Sequence, residues 1–218
     1  MIAFLLACTG PAPLVETDSP SDTAQDTGWW PDPDATTDPF ADAVIAFTPG
    51  EASGFGADQL PGIVTAAPKG HLAGTPSVDV VSLGREGDIV LELVDYVLVD
   101  GPGVDLLVFE NPMPAWKETG FVAVSEDGVT WLECPCAPLD EAGGFPGCAG
   151  TQVVYAGPGA ADPTDAATAG GDRFDLADLG VTEARFVRVR DSGQNPYDGA
   201  TGGFDLDAIA AVNGRVAE

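Results

Sequence analysis

Phe121-Val-Ala-Val-Ser-Glu-Asp-Gly-Val-Thr-Trp131 decides the fold. Residues 121–125 and 130–134 are short β-patterned runs on either side of Glu126-Asp127-Gly128, and the glycine supplies the positive φ that a tight hairpin needs. Working outward, similar runs recur between turn signals. Residues 43–48 read as a first strand, and 77–83 with 88–94 as a hairpin across Gly84-Arg85-Glu86-Gly87. Residues 105–110 read as a short, mostly apolar central strand and 153–155 as a further short strand. In 184–190, Phe186, Val187 and Val189 stand among Arg185, Arg188 and Arg190, and 204–212 closes the series. Helix-period patterning is nearly absent, apart from one turn expected at 174–179. About eight short strands joined by long, acidic, Gly/Pro-rich loops predict an all-β protein, a two-sheet sandwich or jelly roll.

Composition bounds the partners. The chain carries 35 acids against 8 bases, a formal charge of −27, with 28 Gly and 19 Pro. Nucleic acid and anionic lipid surfaces are therefore poor partners, and no nucleic acid is expected, because binding them needs clustered Lys and Arg. Residues 42–214 suit one domain with a substantial core. Residues 9–42 hold eight acids and no Lys or Arg. Such a segment cannot bury enough apolar surface to offset its ordering entropy, so 8–41 reads as a disordered acidic tether. Before it, Leu5-Leu6-Ala7-Cys8 reads as the lipobox of a bacterial lipoprotein, with 1–7 as signal peptide and Cys8 as the acylated residue. The apolar stretch is shorter than an ordinary export signal and has no preceding base. Acyl chains on Cys8 would hold the protein in the bacterial envelope, at the outer membrane or cell surface, without a spanning helix.

Three segments carry a resemblance. The hairpin quoted above resembles the V-x-x-S-x-D-G-x-x-W hairpin of discoidin-type, galactose-binding-like jelly rolls. Ala184-Arg-Phe-Val-Arg-Val-Arg190 resembles their A-R-Y-V-R-I strand, and Gly203-Phe-Asp-Leu-Asp-Ala-Ile209 their closing strand. Together with 100–112 and 169–180, the set is similar to an uncharacterised group of bacterial cell-surface proteins with that fold. The resemblance covers most of 42–213 and implies fold and location more than ligand.

The acids form three candidate cation sites. Asp100-Gly-Pro-Gly-Val-Asp105 places two carboxylates across a Gly/Pro turn, and Glu110-Asn111 ends the next strand. Asp172, Asp175 and Asp178 recur every three residues, which on a helical turn is one face. Asp205 and Asp207 flank Leu206 and share a strand face, with Asp191 and Arg188 as neighbours in a salt-bridge network. Calcium suits such loops, since it takes about 6–8 oxygens in irregular geometry, whereas magnesium demands a near-octahedral site. The competing reading at the first two sites is that the acids cap turns, and at Asp205 and Asp207 that they form the salt-bridge network or accept from sugar hydroxyls. Trp116 and Tyr197, in polar Pro-containing loops, are the expected ligand-binding aromatics. Phe55, Trp131 and Tyr155 are further stacking candidates, with Trp131 read as core. Cys136 and Cys148 bracket a short loop and are the expected disulfide, which leaves Cys134 free. No hydrolase motif is visible, and His71 is the only histidine. The expectation is a non-enzymatic, calcium-stabilised module that binds glycan or another envelope component. Behind it stand a structural or interaction module of the envelope with no small ligand, and a carbohydrate-active hydrolase or lyase.

Overall fold

The computed structural model describes residues 37–70, 77–111, 117–194 and 203–218. Among these residues are twelve strands: β1 (Ala43–Thr48), β2 (Val81–Ser82), β3 (Asp88–Glu92), β4 (Tyr96–Val99), β5 (Leu106–Glu110), β6 (Gly120–Ser125), β7 (Leu132–Glu133), β8 (Asp172–Phe174), β9 (Glu183–Ala184), β10 (Phe186–Asp191), β11 (Asp205–Ala211) and β12 (Gly214–Val216). They form three antiparallel sheets in the orders β1-β3-β10-β6-β7, β2-β11-β5-β8 and β12-β4-β9. The described residues contain no α-helix, and the only helical pieces are two 3₁₀ turns, Ala57–Gln59 and Leu176–Leu179. The architecture is a β-sandwich.

The main core lies between the first two sheets. Ile89 and Leu91 of β3, Val122 and Val124 of β6, and Val187 and Val189 of β10 face Val81, Leu106, Val108, Leu206 and Ile209 across it. In β10 the alternation is strict, with Val187, Val189 and Asp191 buried, so Phe186 shares the outer face with the arginines. Strand β5 is buried at every position because it has a core on each side. Leu107 and Phe109 point away from the main core into a second cluster with Phe40, Val154, Ala156, Ala169, Ala208 and Ala210. A strand covered on both faces reads as an uninterrupted apolar run rather than an alternating one.

The 121–134 hairpin forms, with its second strand shortened to Leu132–Glu133 and a longer connection than a tight turn. Strands β6 and β7 pair with Val124 opposite Leu132, and Gly128 takes φ 73°. Asp127 splints the turn, its Oδ1 accepting from the Val129 and Thr130 amides at 2.8 and 2.7 Å. Trp131 is half-buried and outside both cores, contrary to expectation.

The hairpin expected from 77–83 and 88–94 does not form. β2 pairs with β11 in one sheet, while β3 pairs with β1 and β10 in the other. The turn at 84–87 hands the chain from one layer of the sandwich to the other, with Gly84 at φ 72° and Glu86 at φ 61°. Any Cβ at Gly84 would lie 2.6 Å from the Ser53 amide nitrogen, so that close crossing needs glycine. Residues 153–155 make only an isolated bridge, Val154 to Gly170, rather than a strand.

The domain also extends beyond 42–214 at both ends. Phe40 and Ala41 are buried, the Ala211 amide donates to the Pro39 carbonyl, and β12 pairs with β4 as far as Val216. The remainder of the expected tether, with Cys8, lies outside the described residues, as do Trp116, Tyr197 and His71.

Candidate metal centre

Asp105 is the fixed point of the candidate site. It lies just before β5, is fully buried, and its carboxylate accepts one hydrogen bond from its own turn and two from distant segments. Oδ1 accepts from the Gly101 amide at 2.9 Å and from Asn213 Nδ2 at 2.8 Å, and Oδ2 accepts from the Leu176 amide at 2.8 Å. One side chain thus joins the 100–105 turn, the 3₁₀ turn at 176–179 and the corner between β11 and β12. The antiparallel pairing of β5 with β8, Leu106 opposite Phe174, brings Asp175 alongside. Asp175 caps the 3₁₀ turn through Oδ1, which accepts from the Ala177 amide at 2.9 Å.

Asp100, Asp105 and Asp175 each offer a carboxylate oxygen within 4.8 Å of the others, so the three could together hold a metal ion. The triad runs from buried Asp105 through half-buried Asp175 to exposed Asp100. A cation entering from solvent would find the outer two acids accessible and the inner one already oriented. Hard cations of this kind take carboxylate and backbone carbonyl oxygens, and a Gly/Pro turn exposes the latter. Three acids converging also repel one another, which a cation relieves.

The other expected ligands do not join this group. Glu110 and Asn111 sit at the far end of β5, five residues or roughly 16 Å from Asp105 at about 3.3 Å per residue. Asn111 Oδ1 accepts from the Ser77 amide at 3.1 Å. Glu110 is buried, and burial pushes its carboxyl well above the usual range. The charges acting on it, from Asp205, Glu118 and Asp172, are all acidic and push the same way.

Asp172, Asp175 and Asp178 share no helical face, because the first is in β8, the second is a cap and the third lies in the 3₁₀ turn. Asp172 instead turns to the 150–151 corner. It accepts from the Gly150 amide at 2.7 Å and from Thr151 Oγ1 at 2.6 Å, and burial lifts its carboxyl to about 6 against the pull of those bonds.

The network expected around Asp205 and Asp207 is also absent as drawn. Arg188 pairs with Asp88, and Asp191 accepts from the Glu86, Gly193 and Phe204 amides at 2.9, 2.8 and 2.9 Å. A β-bulge lies between Leu206 and Ala208. At the bulge Asp207 is buried, its Oδ1 accepting from the Lys69 amide at 3.1 Å while Oδ2 meets no hydrogen-bond donor in good geometry among the described residues, the nearby Gly70 amide acting on the carboxylate only weakly. Burial raises Asp207 to about 7.

Two residues of consequence escaped the sequence reading. Asn213 braces Asp105, and Thr151 holds Asp172; neither stands in a patterned motif. Cys136 and Cys148 form the expected disulfide, Cα–Cα 4.6 Å, and Cys134 is free and buried, its thiol pushed up to about 11 mainly by burial. No helix among the described residues is long and apolar enough to cross a membrane. Neither a protein-family model nor a curated protein matches the chain.

Proposed function

We propose that the chain is a non-enzymatic binding module, held on a bacterial envelope by acyl chains on Cys8, that uses a divalent cation to fix its loops. Calcium is the preferred ion, and the ligand is a glycan or another envelope component. The convergence of Asp100, Asp105 and Asp175 carries the reading of the cation. Acids from two loops some 70 residues apart in sequence meet at a carboxylate that is already braced by three donors, and that arrangement fits an ion that stabilises rather than one that reacts. The envelope location is supported by Leu5-Leu6-Ala7-Cys8 and the acids that follow it.

The same bracing of Asp105 favours a second reading, a structural or interaction module of the envelope in which the cation serves stability and no small ligand is bound.

Thermal melts in calcium, magnesium and EDTA at matched ionic strength test the cation. At 100-fold excess over its dissociation constant a site specific to the folded state adds about 2.7 kcal/mol, which for a domain of this size is a rise of roughly 5–10 °C. Asp100→Asn with Asp175→Asn should abolish the rise. Superimposable melts of the native protein in calcium and EDTA would refute it. Labelling with a clickable fatty acid tests the anchor: the native chain should be tagged and Cys8→Ser should not.

A further inference from the structure

The structure has a second built feature that the cation reading leaves unused. A cleft of about 470 Å³ opens beside the edge strand β8, within the range of about 300–1,000 Å³ typical of small-molecule sites. The cleft and the Asp100/Asp105/Asp175 triad have no lining residue in common.

The walls are fixed by the fold. Cys148 on one side is tied to Cys136. On the other, the segments 153–156 and 169–171 are laced together, with the Tyr155 and Ala156 amides donating to the Ala169 carbonyl and the Gly171 amide to the Val153 carbonyl. Gly170 takes φ 71°, and a Cβ there would lie 2.8 Å from Cδ2 of Tyr155 and 2.1 Å from the Val153 carbonyl oxygen. Glycine therefore lets the Tyr155 ring settle against the backbone, and the ring is left 49% exposed at the cleft.

Around that ring the lining is mainly polar. Buried Asp172 orients Thr151, whose Oγ1 in turn accepts from Gln152 Nε2 at 3.2 Å, leaving the Gln152 carbonyl oxygen to a ligand. Thr168 Oγ1 donates to Asp165 Oδ2 at 2.7 Å and keeps its lone pairs. Arg173 projects outward from β8, with Asp165 the acid that feels its charge.

We infer that this cleft binds a neutral saccharide, with a sugar ring stacked on Tyr155 and its hydroxyls shared among Gln152, Thr168 and Arg173. An exposed aromatic face with preset donors and acceptors suits a ring that is apolar on its faces and polar at its rim. An apolar ligand would leave the lining's polar groups without partners, which costs binding. An acidic glycan would meet a chain of net charge −27, with the acid Asp165 near the one arginine of the lining. Preset walls reduce the ordering cost of binding. The inference rests on the reading of the chain as a binding module and names a site for it.

The test is a printed array of neutral and acidic glycans probed with the whole chain in calcium. The best neutral hit is then titrated calorimetrically against the native protein, Tyr155→Ala, Tyr155→Phe and Gln152→Ala. We expect neutral glycans to bind, Tyr155→Ala to weaken the best of them at least tenfold, Tyr155→Phe to retain binding, and Gln152→Ala to weaken it severalfold. Melting temperatures of the variants, read in parallel, show whether each is folded. If Tyr155→Ala is unfolded, Gln152→Ala and the chemical-shift changes at 151–155 on adding the sugar decide the question. An array without neutral hits, hits only among acidic glycans, binding indifferent to both substitutions, or capture of an extended peptide along β8 in place of sugar would each overturn the inference. A flat array with a calcium-dependent melt would sink this site and leave the cation reading standing; a Tyr155-dependent sugar with no calcium effect would do the reverse.

Discussion

Replacing Asp207 with asparagine should flatten the pH dependence of stability. Asp207 lies at the bulge in β11, buried, with one oxygen on the Lys69 amide and the other without a well-placed donor among the described residues. Among the described residues its charged neighbours are Asp79, which raises its pKa, and Lys69, which lowers it; Lys69 is itself 3.7 Å from Asp79. The folded carboxyl titrates at about 7, against 3.8 for an ordinary aspartate. The folded value is the higher one, so folding takes up a proton between these limits. The stabilisation is complete below pH 4 and is lost as pH rises to 7. Three pH units at about 1.4 kcal/mol each come to roughly 4 kcal/mol, with a slope approaching 1.4 kcal/mol per unit. The asparagine is neutral throughout and its carbonyl can still accept from Lys69. Urea unfolding at pH 5, 6, 7 and 8, in EDTA and at constant ionic strength, gives the difference between variant and native protein, in which the other buried acids cancel. The variant should gain on the native chain by a few kcal/mol between pH 5 and pH 8. A difference that stays constant across that range would refute the argument, whatever its sign.

Other outcomes follow from the same structure. Reducing the Cys136–Cys148 bond, or replacing both cysteines with serine, should cost about 3 kcal/mol in denaturant unfolding, the chain-entropy value for a loop of about a dozen residues. Cys134 should resist maleimide in the native state at pH 7 and react promptly once the protein is unfolded, as burial and a thiol pushed up to about 11 require; rapid native labelling would contradict its placement. Asp191→Ala should cost about 3–5 kcal/mol in calcium and EDTA alike, because it strips the acceptor from three amides, that of Phe204 buried. A loss seen only in calcium would instead place Asp191 at the cation.

The parts of the fold legible in the sequence are those that local chemistry sets. A turn with glycine at a positive φ and an acid to splint it defines the β6–β7 hairpin without help from the rest of the chain, and the valines of β10 report its buried face directly. The cysteine pair was legible because a short loop leaves little choice. The 84–87 turn looked equally like a hairpin, but the partners of β2 and β3 are chosen by burial of Val81, Leu83, Ile89 and Leu91 between two sheets, which no window around the turn contains. The candidate centre was half legible for the same reason. Asp100 and Asp105 share a turn, whereas Asp175 reaches them only through the register of β5 on β8, and Asn213 only through the path of β11. The bulge at Asp207 interrupts the strand's alternation at one residue, so the alternating pattern gave no warning of a half-satisfied carboxylate.

The acidity of this chain therefore has more than one physical meaning. Asp105, Asp127, Asp172 and Asp191 accept two or more donors each, and they tie together loops that contain little regular structure. In a chain with 28 glycines and 19 prolines, such splints do what ladder hydrogen bonds do in longer strands. Glu110 and Asp207 differ, because each is buried where its charge is poorly compensated, and the fold holds them more easily with a proton. Asp100 and Asp175 differ again, since both retain solvent access beside a third acid and can shed their repulsion onto a cation instead. The raised carboxyls and the candidate cation site lie toward opposite ends of β5, so urea unfolding at pH 6 and pH 8, each with calcium and with EDTA, should show the gain from lowering pH and the gain from calcium adding.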